Sequence, residues 1–180
     1  MVIPIFRSGS RTDASNYRPI SLTCISWKVV EHIVLNHVNK HLTANSIITP
    51  FQHDFRQGLP CKSQLNLATY DWATVLNNRG QTDVLLLDFS KAFDKVSHSK
   101  LIHKPGQYGI TGETLKWIEA FLRHRSQFVV VNGCHSSTSL VTSGVPQGLF
   151  LGPTQFLIFI NDIFKCSTSN LRLFVDDCCV

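Results

Sequence analysis

Long apolar runs are missing from this 180-residue chain. None reaches the roughly 18 residues that a membrane-crossing helix needs, so no span is expected. The N-terminal MVIPIFRSGSR lacks a basic segment followed by an apolar stretch and a small-residue cleavage site, so no secretory leader is expected either. Six cysteines are present, but never as a CxxC pair, and the eight histidines form no HExxH. A zinc module is therefore disfavoured. Adjacent Cys178 and Cys179 read as buried, reduced thiols. Internal repeats and low-complexity segments are absent. The expected location is cytoplasmic or nuclear rather than secreted, with no membrane partner. Acids are scarce: 12 Asp and Glu stand against 17 Lys and Arg, a net charge of +5. Arg7, Arg11, Arg18, Arg56 and Lys62 load the first third with positive charge, which permits a polyanionic partner.

What is present fits one globular domain: 43% hydrophobic and 16% charged residues. Residues 1–20 read as an extended arm with a turn at RSGSRTDASN. SWKVVEHIVLNHVNKHL places Trp27, Val30, Val34, Val38 and Leu42 at helical spacing, with Ser26 as N-cap. A second helix follows Ser63, with Leu65, Ala68, Trp72 and Val75 on one face, and ends near Gly80. TDVLLLDF predicts a buried strand. SHSKLIHK predicts a helix stopped by Pro105 and Gly106. GETLKWIEAFLRHR and GPTQFLIFINDIF predict two more helices, and QFVVVNG with STSLVTSG a hairpin. LRLFV predicts a last strand. The fold class is α+β.

Three stretches carry chemistry. In LLLDFSKAFD, Asp88 ends the apolar run and is expected to have lost part of its hydration, with Asp94 in a following turn. SGVPQGLFLGP is a Gly/Pro loop leading into a helix, whose backbone donors and Gln147 can line a ligand. In FVDD, Asp176 and Asp177 point to opposite faces of a straight strand, but a turn there brings both to one site. Beside Asp88 they make a three-carboxylate pocket suited to Mg²⁺. Taken alone, the aspartates read more readily as turn caps facing water.

The ordered set IPIFRSG, NYRPISL, KVVEHIV, FRQG, DFSKAFDKVSH, SGVPQG, GPTQFLIFINDI and FVDD resembles the reverse transcriptase domain of non-LTR (LINE-type) retrotransposons. The resemblance runs along nearly the whole chain. It implies a right-hand polymerase fold with fingers and part of the palm, the thumb absent. Residues 1–180 form one partial domain, with fingers over about 1–80 and palm, carrying finger insertions, over about 81–180. It implies an RNA-directed DNA polymerase acting on an RNA template, a DNA primer and deoxynucleoside triphosphates. Two Mg²⁺ ions, or Mn²⁺ in their place, support nucleotidyl transfer onto the primer 3′-hydroxyl.

Residue roles follow the same resemblance. Asp88, Asp176 and Asp177 are the catalytic aspartates and, with Phe89, the metal site. Phe93 is the steric gate beneath the incoming sugar; Arg18, Phe89, Gln147 and Gly148 bind the nucleotide; Arg56 follows the template. Several positions depart from the family pattern. Asp54 stands where glycine is usual; if that backbone needs φ > 0, Asp is tolerated there better than most residues but not freely. Leu149 and Phe150 replace a small polar residue and an aliphatic, and Pro105 interrupts a helical stretch. The stop after Val180 leads to a further expectation: the strand at 171–175 lacks its hairpin partner, so the aspartate turn is loosely held and activity is weak. Two readings therefore stand. One is a polymerase fragment; the other is a catalytically inactive, element-derived module that binds nucleic acid or protein. A metal-dependent phosphatase or nuclease would explain the carboxylates but not SGVPQG or KAFD.

Overall fold

The computed structural model describes residues 1–56, 58–166, 169 and 171–180; Gln57 of the FRQG motif lies outside the described residues. The chain opens as an antiparallel ribbon, β1 (Val2–Phe6) against β2 (Tyr17–Ser21), with Phe6 opposite Tyr17 and Ile5 opposite Arg18. The ribbon is fastened to the body by Ser21 N–H, which donates to the Gln147 carbonyl at 2.8 Å.

Helix α1 (Ile25–Ala44) begins one residue before the expected N-cap. Cys24 holds the cap position without a side-chain capping bond, so Ser26 lies inside the helix. Val38 and Leu42 are buried as the periodicity requires, and Trp27 stacks 5.6 Å from Trp117. Val30 stays exposed. Helix α2 (Cys61–Asn77) departs further: Gln64 and Ala68 are its buried residues, whereas Leu65 is exposed. It meets the rest of the fold through polar links, Gln64 to two backbone carbonyls and an Asp71–Arg172 ion pair.

Helices α3 (His98–Gln107), α4 (Gly112–Leu122) and α5 (Leu151–Ile160) build the main core with α1. Leu101, Ile118, Leu122, Leu151, Phe156 and Ile158 are its largest fully buried side chains. Pro105 does not stop α3 but sits inside it. It falls in the last turn, where the following amides still find carbonyls: Tyr108 N–H bonds to Lys104 and Ile110 N–H to Pro105. The expected single hairpin is two nested ladders. β4 (Ser126–Gln127) pairs with β7 (Ser139–Leu140), and β5 (Val130–Val131) with β6 (Cys134–His135). The inner turn is Asn132-Gly133, both with positive φ, the pair that matches the strand twist best.

The last sheet positions the site. β3 (Leu86–Asp88) pairs antiparallel with β9 (Asp177–Cys179), which pairs with β8 (Arg172–Phe174). The expected missing hairpin partner is thus present: a two-residue turn at Val175–Asp176 reverses the chain at once. Leu85 and Val180 extend the β3–β9 ladder by exchanging two bonds of 2.9 Å. The far edge of β8 is not bare either. Leu173 N–H donates to the Phe51 carbonyl at 2.9 Å, and His53 N–H to the Leu173 carbonyl at 3.1 Å. Residues 51–53 therefore run along β8 in parallel. The opposite expectation fails at β3. Leu86 is 75% exposed and Asp88 is exposed too, because among the described residues β9 is the only strand beside them.

Candidate active site

Register brings the acids together. Asp88 stands opposite Asp177 across β3–β9, and Asp176 occupies the turn between β8 and β9. Asp176 is half-buried, while Asp88 and Asp177 are exposed. Burial pushes the Asp176 carboxyl above the usual aspartate range, and the neighbouring charges of Asp177 and Asp88 push the same way. A bond from its own backbone and the Arg7 charge pull it back in part. Among the described residues, no three His, Cys, Asp or Glu side chains already stand in a metal-holding arrangement. The expected three-carboxylate pocket is therefore brought to one place by the backbone but not preassembled. Its donor set is all oxygen and its repulsion is only partly relieved, which suits a hard divalent cation.

A cleft of about 670 Å³ opens beside this hairpin. Arg7, Tyr17 and Arg18 line it from the ribbon, Asp88 to Asp94 from the turn after β3, Gln147 and Gly148 from the loop before α5, and Asp176 from the hairpin. Seven expected site residues meet here: Arg18, Asp88, Phe89, Phe93, Gln147, Gly148 and Asp176. Asp177 and Arg56 are not among the lining residues. Arg56 turns into its own loop, where Nη1 donates to the carbonyls of Thr49 at 2.9 Å and Gln52 at 3.1 Å. Phe93 spans two roles: it lines the cleft and stacks on core Phe156 at 4.5 Å.

The SGVPQG loop is held against the KAFD turn by a dense set of bonds. Gly144 and Val145 N–H donate to the carbonyls of Val96 and Phe93, both at 2.8 Å. A Cβ on Gly144 would lie 2.8 Å from the Asp94 carbonyl oxygen, so only glycine permits this approach. The Asp94 carboxylate accepts from Gln147 Nε2 at 2.8 Å and so orients that amide in the cleft. Behind the loop, buried Glu31 accepts from Leu151 N–H at 2.8 Å and anchors the start of α5.

Sequence reasoning missed three residues here: Arg7, Lys91, and Asp94 as the Gln147 partner. Arg7 lies in the quoted IPIFRSG, directly after a strand, and that position was its signal. Lys91 gives no such signal, since its placement depends on a φ of +55°. Asp54 does not take a positive φ; the next residue, Phe55, does, at +51°, and it lines the cleft.

A family model described as reverse transcriptase (RNA-dependent DNA polymerase) matches residues 9–180. The RNA-directed DNA polymerase from mobile element jockey of Drosophila funebris is 31% identical over 163 residues, covering 90% of this chain and 18% of that protein. The probable RNA-directed DNA polymerase from transposon BS of Drosophila melanogaster is 28% identical over 169 residues, again covering 90% of this chain and 18% of that one. The chain thus spans less than a fifth of the length of these relatives. An apo telomerase structure from Candida tropicalis aligns with a TM-score of 0.49 at 15% identity, over 84% of this chain and 32% of that one.

Proposed function

Because this chain belongs to the reverse transcriptase (RNA-dependent DNA polymerase) family, we propose that its cleft is the deoxynucleotide and divalent-metal site of an RNA-templated DNA polymerase. One observation carries the reading. A single cleft of about 670 Å³ sets Asp88 and Asp176 against Arg7, Arg18 and Lys91. Carboxylates and guanidinium groups facing one space suit a metal-bound triphosphate, whose phosphate oxygens both can serve.

Each lining group then has a task. Arg18 grips triphosphate oxygens, with Arg7 and Lys91 beside it. Gln147, oriented by Asp94, and Gly148 border the nucleotide. A Cβ on Gly148 would meet Ile20 at 2.8 Å, so the bare backbone is needed there. The Phe93 ring, fixed by its stack on Phe156, excludes a 2′-hydroxyl by shape. Asp88, Asp176 and Asp177, with the Phe89 backbone, would hold Mg²⁺, or Mn²⁺ in its place. Two such ions supply Lewis-acid stabilisation of the attacking and leaving oxygens. An RNA template and a primer 3′-hydroxyl complete the substrates.

The test has two arms on the 180-residue chain. Binding of a deoxynucleoside triphosphate is measured with and without Mg²⁺, and primer extension is measured on an RNA template. Mg²⁺-dependent binding that disappears in Asp176→Asn is the expected result. Binding indifferent to both Mg²⁺ and Asp176 would sink the assignment. RNA binding without any extension would instead identify a binding module.

A further inference from the structure

The turn that carries Asp176 is strained at its first residue. Val175 adopts φ +56°, the left-handed region that a β-branched residue disfavours. Such a conformation persists only where its surroundings over-determine it. Val175 is 8% exposed, so its peptide groups need partners from the protein. One side chain supplies both. Gln52 Oε1 accepts from Val175 N–H at 3.0 Å, and Gln52 Nε2 donates to the Val175 carbonyl at 3.2 Å. The carboxamide stands in for a peptide unit, from a loop 123 positions away.

The clamp is itself held. Gln52 is 2% exposed. Its carbonyl accepts from Arg56 Nη1, its N–H donates to the Thr49 carbonyl, and Oε1 also accepts from Asp54 N–H at 3.3 Å. The two bonds between Leu173 and residues 51–53 fix the register on which the clamp depends. We propose that Gln52 is a positioning residue: its buried carboxamide locks Val175 and thereby aims Asp176 into the cleft before any metal binds. This rests on the reading of Asp176 as a metal ligand. Residues that fix a ligand's orientation from outside the coordination shell typically change metal affinity by about 10–100-fold when removed.

The full 180-residue chain decides the matter. In Gln52→Leu, the Val175 amide should exchange about tenfold faster relative to the Leu87 amide, and Mg²⁺ alone should bind about tenfold more weakly. Adding Val175→Gly should recover much of the Mg²⁺ affinity, because glycine takes φ > 0 without a steric cost. Gln64→Leu is the control. Gln64 Nε2 donates to the Leu173 and Phe51 carbonyls at 3.3 Å, on the same edge but away from the turn. It should lower stability yet leave Mg²⁺ affinity within about twofold. Unchanged Val175 exchange in Gln52→Leu, or an equal loss of affinity in Gln64→Leu, overturns the proposal. If Gln52→Leu alone fails to fold, the double variant carries the test; a double variant that also stays unfolded overturns it. Val175 exchange reads the clamp without reference to metal. Full Mg²⁺ affinity in Asp176→Asn would instead sink the metal-site reading and leave the exchange result standing.

Discussion

Asp88 and Asp177 face one another directly across the β3–β9 ladder. Like charges at such a position oppose the pairing that brings them there. Asp176 beside them carries a cost of its own: its carboxyl is raised by burial and then by the charges of Asp177 and Asp88. A hairpin of this kind is less stable without a cation than its backbone bonds alone would make it.

Asp176→Asn should therefore raise the melting temperature in metal-free buffer, by roughly 2–4 °C for a chain of this size. Mg²⁺ should raise the melting temperature of the unmodified chain, and the same substitution should remove most of that rise. Differential scanning calorimetry with and without Mg²⁺ checks both halves. An Asn variant that is less stable in metal-free buffer would show that the acids do not repel at this turn.

Phe93→Ala should have two separable effects. Losing a half-buried ring that stacks on Phe156 at 4.5 Å should cost about 2 kcal/mol of stability. It should also bring the affinities for ribo- and deoxynucleoside triphosphates closer together. Phe93→Leu keeps more of the packing and should fall between the two. A sugar preference that stays the same in both variants would remove the steric-gate role, whatever happens to stability.

Much of this site was legible from the sequence because its residues sit in contiguous motifs. DFSKAFD and SGVPQG each fold as one turn or loop, so Asp88, Phe93 and Gln147 arrive in the cleft together. The helices of the core were legible for a similar reason: Val38 and Leu42, or Phe156 and Ile160, follow a local period. Two features were not. The exposure of Leu85 to Asp88 reflects which strands lie beside β3, and an apolar run has the same composition in the middle of a sheet or at its edge. The Gln52 clamp depends on a contact across 123 positions, and no local pattern in FQHD announces it. Arg56 is a related case: the motif marks it, yet its guanidinium is spent on carbonyls four and seven positions away, as in many loops with unpaired backbone oxygens.

Glu31 makes stability depend on pH. It is fully buried, and burial lifts its carboxyl above the ordinary value of 4.5, against the pull of the Leu151 and Phe150 amides and the charges of Lys28 and Arg125. A carboxyl raised in the fold favours the protonated folded chain. Its contribution is complete below about 4.5 and is lost as pH rises through the folded value. Glu31→Gln keeps an acceptor for Leu151 N–H and cannot ionise. The variant should gain stability relative to the parent as pH rises from 4.5 toward 7, in urea unfolding series at each pH. Asp176 titrates in the same sense, so the comparison is made in an Asp176→Asn background. A difference that does not vary with pH would show that Glu31 ionises as freely folded as unfolded.

Gln155 is the clearest site for stabilising the scaffold without touching the cleft. It lies in α5 at 1% exposure, in the helix that also carries core residues Phe156, Leu157 and Ile158. Among the described residues, neither its amide nitrogen nor its amide oxygen has a hydrogen-bond partner. A buried, unpaired amide costs about 1–3 kcal/mol, whereas an apolar side chain of similar size costs nothing there and recovers contact energy. Gln155→Leu should therefore raise the urea midpoint by an amount worth about 1–2 kcal/mol, with the slope unchanged. Gln155→Ala removes the amide but leaves a void, so it should gain less or lose stability. Because α5 begins where the cleft loop ends, nucleotide binding provides an internal check. If the helix is merely better packed, Gln155→Leu leaves Mg²⁺-dependent nucleotide affinity where it was. A variant that loses both stability and affinity would show that the amide has a structural partner that holds α5 in place.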